Sequence, residues 1–157
     1  MMGSGKSTVG KILNGLLDDF KLIDTDKEIE KNTGMSIANL FSTYGQQHFR
    51  NLESSLLNKI DANLTILATG GGMPFFNDNW TCLDELGTTF FLNHQLNQLI
   101  YNLKRTANKR PLFNESTFTD LYQKRMPLYK KAKYTIECSD LAPRQIANAI
   151  IDLHQSN

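Results

Sequence analysis

The residues best suited to chemistry lie at the start of the chain, where glycines, a lysine and hydroxyl residues follow one another. The run is Gly3-Ser4-Gly5-Lys6-Ser7-Thr8, and it matches the end of the phosphate-binding pattern G-x-x-x-x-G-K-[ST]. Glycines let backbone N–H groups approach phosphate oxygens, the lysine offers a positive charge to the β- and γ-phosphates, and the serine offers a hydroxyl to Mg²⁺. A Gly-Ser-rich tail before an amphipathic helix is the alternative. The motif lies directly at a helix start, which disfavours such a tail and predicts a nucleotide phosphate loop.

The front of this pattern lies outside the sequence. The first glycine of the full motif would stand five residues before Gly5, and therefore before Met1. The strand that normally leads into such a loop is missing too. Loss of a strand from inside a sheet would expose two strand edges. We therefore expect that the polypeptide begins upstream and that Met1 is an internal methionine.

Two carboxylates follow the first apolar strand, in Asp24-Thr25-Asp26. Residues two apart in an extended chain face the same side, so both carboxylates are expected to point into a site at the strand end. One suits the shell of a Mg²⁺ ion, and the other can orient a substrate hydroxyl or accept its proton. The alternative is that Asp26 only caps the next helix.

Three consecutive glycines, Gly70, Gly71 and Gly72, follow the apolar run Leu64–Ala68. Glycine allows the backbone to come close to a ligand and to donate its N–H groups without interference from a side chain. A plain turn would rarely need three glycines, so this pattern favours a binding loop.

Three arginines could recognise anions, because a guanidinium pairs with carboxylates and stabilises a phosphoryl group in transfer. Arg50 has Glu53 three residues later on a predicted helix, which could orient it or form a solvated pair worth little. Arg110 lies in a basic run that is typical of an exposed surface. Arg125 precedes Met126 and Pro127 in a predicted broken helix.

Alternating helices and strands must position these groups. Apolar periodicity predicts helices at Lys6–Leu17, Asp26–Asn32, Ser36 to Tyr44, Gly45 to Ile60, Gln95–Thr106, Thr119–Ala132 (interrupted at Pro127) and Pro143–His154. Strands are predicted at Lys21–Ile23, Leu64–Ala68, Thr88–Leu92 and Tyr134–Glu137, with a polar loop at Ala107–Phe118. This order predicts an α/β fold with a parallel sheet, and ligands bind at the carboxyl ends of such strands.

Composition restricts the class of protein. A chain of 157 residues predicts one domain, and 17 basic against 16 acidic residues give a net charge of +1. That balance provides no overall field for nucleic acid or a membrane surface, and no apolar run approaches the roughly 20 residues of a membrane helix. Cys82 and Cys138 lack metal-site spacing and are predicted to be free thiols. We expect a cytoplasmic globular enzyme.

In combination these motifs resemble the shikimate kinase family. The matching stretches are GSGKSTVGKIL, LIDTDKEIEKNTGMSIANLF, GQQHFRNLES, ILATGGGM, KRPLF and KRMPLYKKA. The resemblance implies transfer of the γ-phosphate of ATP to the 3-hydroxyl of shikimate in aromatic amino-acid biosynthesis. It also implies a three-layer α/β/α sandwich of the P-loop NTPase type, here without its first strand, with a lid at about residues 107–118.

The resemblance assigns roles position by position. It implies that the ATP-binding residues are Gly3, Ser4, Gly5, Lys6, Ser7, Thr8, Arg105 (against adenine) and Arg110 (in the lid). The shikimate-binding residues that it implies are Asp26, Arg50, Gly70, Gly71, Gly72 and Arg125. Ser7 and Asp24 would lie near Mg²⁺, and Asp26, Lys6 and Arg110 would carry the reaction. A monomer is expected.

Two other interpretations stay open at this point. One is a P-loop kinase for another small hydroxy or sugar acid such as gluconate, which the joint presence of DTD, FR and RPL disfavours. The other is an inactive, N-terminally truncated relative. Retention of Lys6, Ser7, both aspartates and all three arginines argues against that decay.

Overall fold

The computed structural model describes residues 1–105 and 114–156. They form two compact units, Met1–Val9 with Thr88–Asn157, and Gly10–Gly87. The helices are α1 (Lys6–Asn14), α2 (Thr25–Thr33), α3 (Ile37–Leu57), α4 (Asn79–Leu86), α5 (Leu96–Arg105), α6 (Glu115–Tyr129) and α7 (Pro143–Gln155). The strands are β1 (Lys21–Asp24), β2 (Thr65–Ala68), β3 (Phe90–Asn93) and β4 (Tyr134–Glu137), and a 3₁₀ turn covers Met73–Phe75.

A parallel pair of strands organises the Gly10–Gly87 unit. β1 pairs with β2 in a register that places Asp24 beside Ala68. Because the strands run in the same direction, the acidic segment after β1 and the glycines after β2 emerge at the same edge. Gly10 of α1 packs closely on this pair, since a Cβ there would lie 2.9 Å from Cδ1 of Leu22.

Local signals in the sequence set the helix ends of this unit. Gly34 ends α2 with a φ of 67°, a conformation that glycine adopts without steric cost. The Ser36 side chain begins α3 by accepting a hydrogen bond from the Asn39 N–H at 3.2 Å. Gly45, with φ 78° and ψ 174°, divides α3 into two helical segments. Their apolar faces bury Leu40 and Phe49 against Ile29 of α2.

The other unit also contains a parallel pair. β3 pairs with β4, with Phe90 beside Tyr134 and Asn93 beside Glu137. The buried apolar residues of its helices are Leu99, Leu103, Phe118, Tyr129, Ile146 and Ala147. Within the part of the chain that the structure describes, no helix is long and apolar enough to cross a membrane.

The structure corrects several predicted boundaries. The predicted loop Ala107–Phe118 is wrong at its end, because α6 begins at Glu115, where the Asn114 side chain accepts from the Thr117 N–H at 3.2 Å. The predicted interruption at Pro127 is also wrong, since α6 continues through it to Tyr129. Helix α4 was not predicted. β2 starts one residue late because Leu64 has a φ of 46°.

Candidate functional site

The phosphate loop forms a tight turn around the Lys6 ammonium. Gly3 and Gly5 have φ values of 79° and 81°, which a side chain would strain. Lys6 Nζ donates to the Met1 carbonyl at 2.6 Å and to Ser4 Oγ at 3.3 Å. Ser4 Oγ donates to the same Met1 carbonyl at 2.8 Å. The lysine charge is therefore held inside the loop.

Helix α1 begins within this loop. The N–H groups of Thr8 and Val9 both donate to the Gly5 carbonyl at 2.9 Å. Ser7 and Thr8 lie exposed in the first turn, so their hydroxyls can reach a ligand. The structure thus brings the run from Gly3 to Thr8, which was predicted to bind ATP, together as one turn at a helix N-terminus, a position where an anion can be stabilised.

Two side chains that the sequence motifs did not indicate contact the backbone of the loop. Asn102 Nδ2 of α5 donates to the Gly3 carbonyl at 3.0 Å. His94 Nε2, just after β3, lies 3.2 Å from the Ser4 carbonyl oxygen. No local signal distinguishes an asparagine within a helix, or a histidine after a strand, from an ordinary surface residue.

Arg125 lies on the buried face of α6, with 8% of its surface exposed. Tyr122 and Tyr129 are three residues before and four residues after it, so helical spacing places all three on one side. The Tyr122 hydroxyl donates to the His94 carbonyl at 3.3 Å, and the Tyr129 hydroxyl contacts Met1 Sδ at 3.6 Å. These contacts direct the Arg125 face of the helix toward the phosphate loop.

Arg105 and Arg110 are the other two basic residues that were predicted to bind ATP. Arg105 is the last residue of α5, and its guanidinium lies 5.8 Å from the centre of the Tyr101 ring. Both residues are exposed. The predicted lid arginine, Arg110, lies outside the described residues.

In the Gly10–Gly87 unit, the acidic segment differs from its prediction. Thr25 begins α2 directly after β1, so Asp26 is helical, and the expectation of two carboxylates on one extended strand is wrong. Asp24 is the N-cap residue, and its Oδ1 accepts from the Lys27 N–H at 3.4 Å. The helix cap that the sequence allowed for Asp26 is therefore Asp24. Asp26 lies exposed in the first turn of α2.

The start of α2 is tied to the three-glycine loop. Thr25 is fully buried, and its hydroxyl oxygen accepts a hydrogen bond from the Gly70 N–H at 2.8 Å. A Cβ on Gly70 would lie 2.6 Å from Asp26 Oδ1 and 2.8 Å from Glu53 Oε1. Two carboxylates therefore lie against the Gly70 backbone, and a glycine is required there.

The Gly72 backbone lies against the Arg50 guanidinium, so a side chain is excluded there as well. A Cβ on Gly72 would lie 2.6 Å from Nη2 of Arg50 and 2.9 Å from its Cζ. The structure thus brings Asp26, Arg50, Gly70 and Gly72, four of the residues predicted to bind substrate, together around one loop.

The Arg50–Glu53 pair is buried, with only 7% and 0% of the two residues exposed. Nη1 of Arg50 donates to Glu53 Oε2. The guanidinium also lies 4.5 Å from the centre of the Phe76 ring and 5.2 Å from that of Phe49. Among the described residues, Nε of Arg50 has no hydrogen-bond partner. The pair is therefore not the solvated surface pair that spacing allowed, and the guanidinium is held in place with its buried Nε unpaired among the described residues.

The Ser7 hydroxyl and the Asp24 carboxylate are each, taken separately, chemically suited to Mg²⁺, which takes most of its ligands from phosphate and water. The Ser7 hydroxyl is exposed, and one Asp24 oxygen is not used by the cap. Within residues 1–105 and 114–156, no group of three or more histidine, cysteine or acidic side chains could hold a metal by itself.

Comparisons with known proteins agree on one family. Residues 2–155 match the family model described as shikimate kinase. A shikimate kinase of Thermodesulfovibrio yellowstonii is 39% identical over 96% of this chain and 88% of its own, and one of Helicobacter hepaticus is 39% identical over 96% and 90%. The solved structure of shikimate kinase from Acinetobacter baumannii in complex with shikimate is 36% identical, with a TM-score of 0.90 over 99% of this chain and 89% of that one. The predicted α/β fold of the P-loop NTPase type is confirmed.

Proposed function

This chain belongs to the shikimate kinase family, and we propose that it transfers the γ-phosphate of ATP to the 3-hydroxyl of shikimate. The products are shikimate 3-phosphate and ADP. The observation that supports this most directly is the loop at Gly70–Gly72, which has the Asp26 carboxylate at one glycine and the Arg50 guanidinium at another. Shikimate carries both a carboxylate and hydroxyls, so it is complementary to such a pair.

The substrate carboxylate would bind to Arg50 and Arg125. A buried guanidinium keeps its charge and offers a fixed fork of donors. The Glu53 partner and the rings of Phe49 and Phe76 restrict Arg50 to one orientation. A carboxylate bound there is oriented as well as attracted, and orientation supplies a large share of the rate of a two-substrate reaction.

Asp26 would hold the reacting hydroxyl. Its Oδ1 lies beside the Gly70 backbone at the start of α2, and the residue is exposed to a ligand. A carboxylate in this position orients the hydroxyl oxygen toward phosphorus and accepts its proton as the new bond forms.

The phosphate loop would bind the ATP phosphates. Its backbone N–H groups and the Lys6 ammonium stabilise charge on the γ-phosphoryl group during transfer. We propose that Arg110 contributes from a lid at about residues 107–118, and that Arg105 lies against adenine. A lid excludes water, which would otherwise accept the phosphoryl group.

Mg²⁺ would bind with ATP near Ser7 and Asp24, and when bound it neutralises phosphate charge. We further propose that the enzyme acts as a monomer in the cytoplasm. Light scattering on the eluting protein tests the monomer, and a species of twice the chain mass would contradict it.

The proposed activity is tested with ATP, Mg²⁺ and a panel of acceptors. ADP formation should depend on shikimate and should be at background with gluconate, because gluconate lacks the ring that presents the hydroxyl at a fixed distance from the carboxylate. ADP formation with gluconate but not with shikimate would favour the other small-acid kinase. The Lys6→Met variant, tested with the same panel, controls for contaminating kinases.

A further inference from the structure

The backbone of the phosphate loop is held by side chains that lie far from it in the sequence. Asn102 Nδ2 donates to the Gly3 carbonyl at 3.0 Å, and His94 Nε2 lies 3.2 Å from the Ser4 carbonyl oxygen. These two carbonyls belong to consecutive peptide units. Two anchors from separate elements, α5 and the end of β3, therefore act on adjacent peptides.

Holding a carbonyl also fixes the N–H of the same peptide. In a trans peptide the C=O and N–H groups point in opposite directions. The Asn102 contact therefore directs the Ser4 N–H away from α5, and the His94 contact directs the Gly5 N–H away from the imidazole. Because Gly3 and Gly5 flank these peptides with positive φ, the backbone would otherwise rotate at little cost.

Each anchoring side chain is itself oriented. Gln98 Nε2 donates to Asn102 Oδ1 at 3.1 Å, which turns the Asn102 NH₂ group toward the Gly3 carbonyl. A carbonyl oxygen only accepts hydrogen bonds, so His94 must carry its proton on Nε2. Its buried Nδ1 has no hydrogen-bond partner among the described residues. Burial lowers the pKa of His94 despite the bond to Ser4, and the Lys6 charge lowers it further, so the ring is neutral near pH 7.

We propose that Asn102 and His94 are positioning residues that preset the Ser4 and Gly5 N–H groups for the nucleotide phosphates. The proposal rests on the proposed function, in that a nucleotide must occupy this loop. Without the anchors, each peptide must be reoriented when the ligand binds, which lowers nucleotide affinity and leaves the shikimate pocket unchanged.

The test measures binding of MgADP and of shikimate separately, by calorimetry. His94→Phe keeps the ring but removes the donor, and His94→Gln keeps a donor near the position of Nε2. Asn102→Leu removes the other donor with little change in volume. Matched controls are His154→Phe and Asn97→Leu, which make the same changes at exposed positions.

We expect MgADP to bind about 3–10-fold more weakly to His94→Phe and to Asn102→Leu, a factor typical of one lost hydrogen bond. His94→Gln should bind as the unsubstituted chain does, and shikimate affinity should not change in any variant. If His94→Phe does not fold, Asn102→Leu carries the test of donor loss.

Two results would overturn the positioning role. One is normal MgADP affinity in Asn102→Leu and, where that variant folds, in His94→Phe. The other is an equal loss of MgADP and shikimate affinity, which indicates general damage to the fold. Failure of the unsubstituted chain to bind MgADP would instead refute the proposed function itself.

Discussion

Replacing Glu53 by glutamine tests whether the Arg50–Glu53 ion pair is buried from water as it is in the structure. The substitution keeps the size of the side chain and one acceptor oxygen but removes the charge that opposes Arg50. The two side chains are 9% and 1% exposed, so the guanidinium would be left buried without a counter-charge. Loss of one partner from a buried pair costs about 3–5 kcal/mol. The retained acceptor places the expected loss near 3 kcal/mol.

This magnitude is large enough to measure by thermal unfolding. For a domain of this size, 1 kcal/mol shifts Tm by about 2–4 °C, so Glu53→Gln should lower Tm by about 6–12 °C. Shikimate should recover part of the loss, because its carboxylate supplies the missing counter-charge. The pair Glu28 and Lys31 provides the control, since it has the same spacing but side chains that are 35% and 76% exposed. Glu28→Gln should cost less than about 1 kcal/mol. Equal Tm shifts for the two variants would show that the Arg50–Glu53 pair contributes no more to stability than the exposed Glu28–Lys31 pair.

Four further outcomes are expected from the same structure. Gly72→Ala forces the guanidinium to move, so KM for shikimate should rise about 10–100-fold while KM for ATP stays constant; equal changes in both constants would contradict this. Asp26→Asn should lower kcat about 10²–10⁴-fold with Tm unchanged, and unaltered turnover would remove its assigned role. Because the pKa of His94 is lowered in the folded chain, the unfolded chain binds a proton more readily, so the free energy of unfolding should fall as pH drops below about 6.5. In His94→Gln that fall should be smaller, and identical profiles of stability against pH would contradict the lowered pKa. Burial raises the pKa of the Cys138 thiol to about 11, so at pH 8 it should react with a thiol reagent far more slowly than Cys82, and equal rates would show that Cys138 is accessible.

Local rules predicted the elements whose ends depend on one residue. In the structure Gly34, Ser36 and Gly45 each set a helix end or break, because a left-handed turn or an N-cap depends on the nearest few residues. The predicted phosphate loop also depends on adjacent residues, and it forms one turn. Where such signals were weak, as in α4 between Asn79 and Leu86, the helix was missed.

Other features depended on contacts that no local pattern contains. The spacing of Arg50 and Glu53 allowed both an exposed pair and a buried one, and only the packing of Phe49 and Phe76 on the guanidinium decided between them. Asp26 was expected to share an extended segment with Asp24, whereas α2 already begins at Thr25.

The anchors of the phosphate loop were missed for the same reason. Asn102 and His94 are 99 and 90 residues from the backbone groups that they contact. From sequence alone, an asparagine in a helix is expected to face solvent. Only the folded structure shows that Asn102 lies beside the Gly3 carbonyl.

Phosphorylation of shikimate with ATP can be observed by phosphorus NMR on a mixture of the purified chain, MgATP and shikimate. We expect equal amounts of ADP and of a phosphomonoester on the 3-oxygen of shikimate, with both formed about 10²–10⁴-fold more slowly by Asp26→Asn. A folded chain that binds MgADP but leaves shikimate unphosphorylated, or that releases only inorganic phosphate, would contradict the proposed function.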